Sequence, residues 1–442
     1  MPDGTSDDNY LRRLGPALGE RDFLLWWLAL LGMDLALQMV EVAIGWEVYS
    51  LHRSALDLGW IGLAEFIPLF VFALPFGHLA DRFPRRLIFA AALVLGAVVG
   101  GGLAAVSSAG VTEVWPYLAL AVLAGTSMAL GLPAARAMPP TLVGPELLQS
   151  AMNLRSIATQ GGTVIGPALG GFLYAVSPTF VYLLAAGVCL ISSVCAAAIR
   201  PRTEAAAGDG QVPAVIEEET APDPASMESV LDGLRFVGRT QILLGAILLD
   251  LLAVLFGGAV ALLPVFAKSI LHVGPTGLGV LRAAPAIGAL LGAAYITRRP
   301  IHRRAGRTLL IAVGLYGVSM IVFGLSRVFV ISLLALIASG FVDLYSMNIR
   351  ATTVALATPD RLRGRVNAVE MVFISASNQL GAFESGLAAF LVGTVPAVVG
   401  GGVITILLAL GWRRLFPALA DVDRLEDIRP AEADRPVAGL AT

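Results

Sequence analysis

Charged residues, cysteines and lysines are all scarce in this chain of 442 residues. Only 14% of its residues are charged, compared with about 25% in an average soluble domain, so the chain cannot cover itself with a polar surface. Cys189 and Cys195, the only cysteines, share one apolar stretch, which excludes a disulfide framework. Lys268 is the only lysine and follows Ala267, so a glycine-rich phosphate loop is excluded too.

Long apolar segments dominate the chain instead. Hydrophobic residues make up 57% of it, and the mean hydropathy is +0.80. Such runs are long enough to cross about 30 Å of hydrocarbon. The pattern predicts an all-α membrane protein with twelve transmembrane helices. They lie near residues 22–50, 58–80, 86–108, 115–137, 150–175, 178–199, 241–268, 276–297, 307–326, 328–356, 366–391 and 394–416.

Arginines concentrate at every second junction between these segments. The odd-numbered junctions hold only Arg53, Lys268 and Arg327. The even-numbered junctions hold Arg82, Arg85, Arg86, Arg136, Arg200, Arg202, Arg235, Arg239, Arg298, Arg299, Arg303, Arg304, Arg307, Arg361, Arg363 and Arg365. Because basic loops stay on the cytoplasmic side, this asymmetry predicts a multi-pass protein of the cell (inner or plasma) membrane with both termini in the cytoplasm.

Several short patterns recur about half a chain apart. Asp34-Leu35 returns as Asp250-Leu251, at an offset of 216 residues. Three further matches have offsets of 214 to 217: Arg136 with Arg350, Pro145-Glu146 with Pro359-Asp360, and Glu65 with Arg282. Together they indicate a duplicated unit of six segments. They predict two six-helix bundles related by a pseudo-two-fold axis along the membrane normal.

The composition divides the chain into five predicted parts. They are a cytoplasmic N-terminal segment (1–21), an N-terminal bundle (22–199), a cytoplasmic linker (200–240), a C-terminal bundle (241–416) and a cytoplasmic tail (417–442). Residues 201–225 are rich in Ala, Pro and acids, which predicts a flexible connection. Residues 226–237 carry apolar positions on one helical face, which predicts a surface-lying helix. The tail is expected to be loosely ordered.

Two motifs stand out at and within the segments. The stretch Gly77-His78-Leu79-Ala80-Asp81-Arg82-Phe83-Pro84-Arg85-Arg86 joins the second and third segments. We expect Asp81 to accept hydrogen bonds from the start of the eleventh segment, or to pair with an arginine there such as Arg365, and so to hold the cytoplasmic side shut. An alternative role is open for the arginines of this motif: they would only mark the topology. These are Arg82, Arg85 and Arg86.

The second motif lies in the fifth segment and reads Gly162-x-x-x-Gly166-Pro167-x-x-Gly170-Gly171. Small residues at intervals of four let helices approach closely, and a proline permits bending because it removes one backbone hydrogen bond. This pattern favours equally a hinge that seals one conformation and simple tight packing.

These motifs carry a family resemblance across roughly residues 20–416. Residues 77–86 resemble the signature of the major facilitator superfamily, with Pro84 at a position usually held by glycine. The fifth-segment motif resembles that of proton-driven drug antiporters. Other stretches resemble the enterobactin (siderophore) exporter branch of the third drug:proton antiporter family, among them Val42–Tyr49, Leu263–Ala267, Arg363–Val366 and Ser377–Gly386. Met128 departs from the family, which often has arginine in the middle of helix 4.

Charged residues inside the apolar segments are the clearest candidates for chemistry. A carboxylate at the bilayer centre costs about 2.5–3.5 kcal/mol, so it should face a wet cavity. Asp34, Gln38 and Glu41 share one face of the first segment, and Asp250 is the repeat equivalent of Asp34. In the resembled fold these two helices line the central cavity. We therefore predict that Asp34 and Glu41 bind protons in exchange for substrate, with Asp250 secondary; neutral packing acids are the alternative.

Other intramembrane charges have less specific predictions. Glu65 and Arg282 occupy equivalent repeat positions and are candidates for an outer gate. Asp343 and Arg350 share a helix face two turns apart, too far for an easy salt bridge. Glu370 and Glu384 are weaker candidates, and Glu47 is expected at the membrane interface.

The resemblance and the charges together predict a secondary active efflux transporter. Its partners would be the lipid bilayer, protons and a bulky amphipathic small molecule such as a drug or siderophore, and it is expected to be monomeric. No catalytic residue, cofactor, metal or nucleic-acid partner is predicted. The alternatives left open are an importer or facilitator of an unrelated solute, and a transporter-like sensor without flux.

Overall fold

A computed structural model describes residues 15–200, 227–299 and 303–430. Within these ranges the chain is almost entirely helical and contains no β-strand. The long helices are α1 (Arg21–His52), α2 (Ala55–Arg82), α3 (Arg85–Ser108), α4 (Trp115–Ala137), α5 (Leu148–Val176), α6 (Pro178–Ala197), α7 (Gln241–Gly257), α8 (Gly274–Arg298), α9 (Ala305–Leu325), α10 (Phe329–Ala357), α11 (Arg363–Val392) and α12 (Thr394–Leu415). A shorter helix, Met227–Arg239, is called the linker helix below.

Residues that break or cap helices define the junctions. Arg53 ends α1 in the left-handed conformation (φ 56°), and Gly393 separates α11 from α12 at φ 92°. Ser177 caps α6, because its Oγ accepts a hydrogen bond from the N–H of Phe180 (3.3 Å), and Pro178 follows at the first helical position. These local signals explain why the apolar chain divides into separate helices.

Ten of the described helical segments are long and apolar enough to cross a membrane. Helices α5 and α11 are long enough but are not among the ten. Both are interrupted by polar residues, for example Gln160 in α5 and Glu370 in α11. The structure thus confirms an almost all-helical membrane architecture and singles out α5 and α11 as the most polar long helices.

The seventh segment is not one regular helix, as the sequence predicted over 241–268. The helix α7 ends at Gly257, and the chain continues to Ile270 through 3-10, α and π turns. Gly258 is extended (φ −76°, ψ 101°), and Pro264 offers no N–H to a continuous helix. Side chains bond the freed carbonyl groups: Ser385 donates to the oxygen of Gly258 (2.8 Å) and Tyr316 to that of Gly257 (3.4 Å).

The chain forms two compact units. Unit 1 consists of residues 1–53, 64–221 and 273–283, and unit 2 of residues 54–63, 222–272 and 284–442. Unit 1 therefore includes the beginning of α8, and unit 2 includes the beginning of α2.

The two units repeat one packing order. In unit 1, α1 packs on α5 and α6, and α3 packs on α4 and α6. In unit 2, α7 packs on α11 and α12, and α9 packs on α10 and α12. Each pair has its counterpart six helices later, which is the arrangement that an internal duplication predicts.

The linker helix and the tail pack more firmly than expected. Val237 is buried in unit 2, and Asp232 lies 3.6 Å from Arg365 at the start of α11. The prediction of a loosely ordered tail is wrong for residues 417–430. Backbone oxygens of Val422 and Asp423 each accept a 3.0 Å hydrogen bond from the first N–H groups of α9, which otherwise lack partners within the helix.

Candidate functional site

The polar face of α1 lies directly against the glycine motif of α5. A Cβ placed on Gly162 would be 2.6 Å from the Cβ of Asp34, and one on Gly166 would be 2.6 Å from the Cβ of Gln38. Gly170 approaches the backbone of Met39 just as closely. Side chains larger than hydrogen would therefore push the two helices apart. The structure brings together two sets of residues that the sequence identified independently.

Asp34 has an unbalanced environment inside unit 1. Thr159 of α5 is a hydrogen-bond partner of its carboxyl group, and Arg136 at the end of α4 lies within electrostatic reach. Its Oδ2 atom is buried and has no hydrogen-bond partner among the described residues. A buried carboxylate oxygen without a partner is costly, and proton binding by Asp34 stays a prediction.

A cavity of about 100 Å³ adjoins Asp34 within unit 1. Its walls come from α1, α3, α4 and α6 and are mostly apolar; they include Met33, Val40, Gly96, Met128 and Cys189. Met128, which departs from the family pattern, thus lines the same cavity as Asp34. The low polarity of these walls raises the cost of a negative charge at this place.

Glu41 forms an ion pair with Arg282, which belongs to the part of α8 that lies in unit 1. Each side chain is 21% exposed. Glu65 of α2 lies within electrostatic reach of both groups. Glu41, Arg282 and Glu65 thus form one group of three charges, and its role as an outer gate stays a prediction.

Helix α5 also packs against the beginning of α8, within unit 1. A Cβ on Gly171 would overlap the carbonyl oxygen of Pro275, and one on Gly279 would overlap that of Pro167. Mutual glycine contacts of this kind bring two helix backbones together. The motif of α5 therefore packs tightly on α1 and α8 in this conformation, and its role as a hinge stays a prediction.

The corresponding acid of unit 2, Asp250, is ion-paired. Its Oδ1 lies 2.6 Å from Nη2 of Arg350, while Nη1 of Arg350 donates to Ser346 Oγ (2.9 Å). Both residues are buried. Asp250 and Arg350 are the repeat equivalents of Asp34 and Arg136, so the structure joins two separate sequence matches in one contact. Asp343 lies within electrostatic reach of Arg350, but the salt bridge of Arg350 is with Asp250.

Two acids of α11 differ in their surroundings. Glu370 borders a small void together with Asp250 and Arg350. Glu384 lies 14 residues further along the helix, next to Ser385.

Because Asp34 and Asp250 belong to different units, their predicted convergence on one cavity stays a prediction.

The motif at residues 77–86 is only partly described. The side chains of Gly77 and Asp81 lie outside the described residues, so the predicted latch stays untested. Arg82 is exposed, whereas Arg85 donates to the carbonyl oxygen of Ala137 (3.2 Å) and Arg86 donates to that of Ile199. Arg85 and Arg86 thus tie the start of α3 to the ends of α4 and α6. Arg365, the proposed partner of Asp81, pairs with Asp232 of the linker helix.

Glu47, near the end of α1, is buried inside unit 1. It is only 8% exposed, and its expected place at the membrane interface stays a prediction. Its Oε1 accepts a hydrogen bond from the hydroxyl of Tyr117 (3.0 Å), and its Oε2 accepts one from that of Tyr182 (2.6 Å). No spacing in the sequence links α1 with these tyrosines of α4 and α6, so only the packing of unit 1 reveals the cluster.

This cluster predicts a stability effect separate from transport. Glu47→Ala leaves two buried hydroxyl groups without their acceptor, so we expect it to destabilise the protein by about 2–4 kcal/mol. Thermal unfolding of the purified protein in detergent measures the loss. Glu113→Ala, in an exposed loop, is the matched control and should change stability by less than about 0.5 kcal/mol. Equal effects of the two variants would contradict the structural role of Glu47.

Comparison with known proteins agrees with this architecture. The family model described as Major Facilitator Superfamily matches residues 26–382. The chain is 26% identical to the enterobactin exporter EntS of Citrobacter koseri over 407 residues, which cover 89% of this chain and 92% of that protein. It is 29% identical to the uncharacterized MFS-type transporter YfiS of Bacillus subtilis over 260 residues, or 57% of this chain and 58% of that protein.

Solved structures share the fold at much lower sequence identity. The nucleoside transporter NupG superposes with a TM-score of 0.69 at 12% identity, covering 89% of this chain and 99% of that chain. A bacterial homologue of the iron transporter ferroportin superposes with a TM-score of 0.64 at 16% identity, covering 91% and 99%. At these identities the similarity concerns the fold alone.

Proposed function

Because the chain belongs to the major facilitator superfamily, we propose that it exports a bulky amphipathic small molecule, a drug or a siderophore, by proton antiport. The observation that carries this proposal is the contact between Asp34 and the glycine motif of α5. It joins an acid that favours a bound proton to the motif that resembles those of drug antiporters. When Asp34 binds or releases a proton, the charge would therefore change directly beside α5, the helix that contains a proline.

The proposed topology has twelve crossings in two six-helix bundles and both termini in the cytoplasm. The ten apolar helices and the repeated packing order support it, and the distribution of arginines supports the orientation. Helices α5 and α11 would complete the count, with their polar residues turned away from lipid. The proposed location is the inner or plasma membrane, with the protein acting as a monomer.

In the proposed cycle, protons act on two sites of unit 1. A proton on Asp34 removes a buried negative charge beside α5. A proton on Glu41 removes its attraction to Arg282 and so releases the beginning of α8 from α1. A transmembrane potential of 100 mV supplies about 2.3 kcal/mol for each proton that moves inward. The release of this contact would couple proton binding to alternating access.

The relatives suggest the first cargo to test. Several of them are named enterobactin exporters, and one of these aligns with 89% of this chain. We propose a siderophore of comparable bulk as the first candidate. An amphipathic drug is the second, because the resembled antiporters also include drug exporters.

Transport by the purified protein in proteoliposomes tests this function. The probes are enterobactin and the dye ethidium, and the lumen is made acidic so that protons leave as the probe enters. We expect accumulation that nigericin abolishes. Equilibration without dependence on the gradient would identify a facilitator, and accumulation driven by the opposite gradient would identify a symporter. No flux of either probe through folded protein would favour the sensor alternative.

The ion pair of Glu41 and Arg282 gives a second test. We expect Glu41→Gln to slow proton-driven accumulation about tenfold and to destabilise the protein by about 1–3 kcal/mol, because the guanidinium group loses its charged, partly buried partner. The exchange variant Glu41→Arg with Arg282→Glu rebuilds the pair. It should recover stability without recovering the response to the pH gradient. Recovery of both would mean that the pair has only a structural role.

A further inference from the structure

Unit 2 contains a buried cluster in which several acids surround one cation. Asp250 comes from α7, Arg350 and Asp343 from α10, and Glu370 from α11. The side chains of Arg350 and Asp250 are 9% and 13% exposed. Tyr316 of α9, whose hydroxyl donates to the carbonyl oxygen of Gly257, lies within electrostatic reach of Asp343 and Asp250. Arg350 lies within electrostatic reach of all three acids.

Both terminal nitrogens of Arg350 have partners. One terminal nitrogen pairs with Asp250 at 2.6 Å, and the other donates to Ser346 at 2.9 Å. Glu370 instead borders a void of about 10 Å³ that is also lined by Asp250, Arg350 and Phe373. A void of about 10–15 Å³ holds one water molecule. Glu370 therefore reaches the ion pair across a space suited to a single water rather than through direct contact.

Counting charge shows that the cluster is unbalanced when all its acids are ionised. The three carboxylates Asp250, Asp343 and Glu370 would contribute three negative charges against the one positive charge of Arg350. Two carboxylates that share a buried site cannot both ionise easily. Arg350 already neutralises Asp250, so the cost of ionisation falls on the acids without a guanidinium partner. Of these, Glu370 is the one that borders the void with the ion pair.

We propose that unit 2 contains a proton-binding site in which Glu370 carries the proton and the Asp250–Arg350 pair fixes its position. When Glu370 releases its proton to water in the void, its carboxylate competes with Asp250 for Arg350. The competition pulls on α7, α10 and α11 together, because each supplies one of the three groups. As a coupling step this site rests on the proposed antiport, and it would add a second proton to that of Asp34.

The duplicated half of the chain lacks this site. Asp34 and Arg136 are the counterparts of Asp250 and Arg350, but the position 214 residues before Glu370 holds Ser156. Unit 1 therefore has the aspartate and the arginine without the glutamate. This difference predicts that neutralising Glu370 removes one bound proton and that neutralising Asp34 removes another.

Infrared difference spectroscopy between acidic and alkaline pH tests the site without any substrate. The protonated carboxyl group absorbs apart from carboxylate, so the wild-type protein should show a band that Glu370→Gln removes. Glu384→Gln, on the same helix, is the matched control and should keep it. In Asp250→Asn, Arg350 becomes available to Glu370, so the band should disappear at a pH lower by about one unit or more.

Thermal stability gives an independent measure if Asp250→Asn folds poorly. Glu370→Gln imitates the protonated acid, so its stability should stay level where that of the wild-type protein falls with rising pH. An infrared band that is unchanged in Glu370→Gln would overturn the proposal, because any part of the band that comes from Asp34 is the same in both proteins. A stability that falls with rising pH equally in the wild-type protein and in Glu370→Gln would also overturn it. If the band behaves as expected but the proteoliposomes show no proton-driven flux, the proton site stands and the proposed antiport fails.

Discussion

Asp34→Asn is expected to abolish proton-driven accumulation of substrate in proteoliposomes while leaving the protein folded. The amide fills the same volume as the carboxyl group but cannot take up or release a proton. Because Oδ2 of Asp34 is buried without a partner in the described part of the chain, the neutral side chain fits this place at least as well as the charged one. The loss should therefore appear in transport and not in thermal stability.

The measurement compares flux with and without a pH gradient. We expect the gradient to accelerate the wild-type protein at least tenfold and Asp34→Asn by less than twofold, since one lost proton step removes more than about 1.4 kcal/mol of drive. Glu113→Gln, in an exposed loop, should behave like the wild-type protein. Full acceleration in Asp34→Asn would remove Asp34 from the mechanism.

Neighbouring glycines of α5 provide a matched pair for the same site. A Cβ on Gly162 would lie 2.6 Å from the Cβ of Asp34. Among the described residues, a Cβ on Gly161 would meet only a terminal methyl group of Leu31, at 3.9 Å. Gly162→Ala should therefore displace Asp34 and impair transport, and Gly161→Ala should not. Equal effects would show that general helix packing, rather than the position of Asp34, limits the rate.

Gly340→Leu is expected to cause the largest loss of stability, about 3 kcal/mol or more. In unit 2, a Cβ on Gly340 of α10 would overlap the carbonyl oxygen of Pro285 in α8. Gly288 of α8 makes the reciprocal approach to the backbone of Ile337. Because backbone atoms cannot rotate away as a side chain can, a leucine must separate the two helices.

Thermal unfolding and the yield of monodisperse protein measure this effect. Gly411→Leu is the control, because no atom of the described residues lies within 4 Å of a Cβ placed there. We expect a markedly lower unfolding temperature for Gly340→Leu and almost no change for Gly411→Leu. If the two variants unfold at the same temperature, the close contact of α8 and α10 does not contribute to stability.

The long helices and the duplication were predictable from the amino-acid order. Hydropathy over some twenty residues reports whether a helix can lie in lipid, and this depends on composition alone. The recurrence of Asp34 as Asp250 and of Arg136 as Arg350 was equally visible in the chain. The break of α7 after Gly257 was missed, since the oxygens of Gly257 and Gly258 are bonded by residues far along the chain, Tyr316 and Ser385.

The partners of the charged residues were decided by packing between helices. Spacing along one helix showed that Asp34, Gln38 and Glu41 share a face, but not that Arg282 reaches Glu41 or that two tyrosines enclose Glu47. Such contacts join residues that are far apart in sequence. A helix face is set by a local period of 3.6 residues. Which charge neutralises which is set by the rotation and crossing of whole helices, and these exist only in the folded protein.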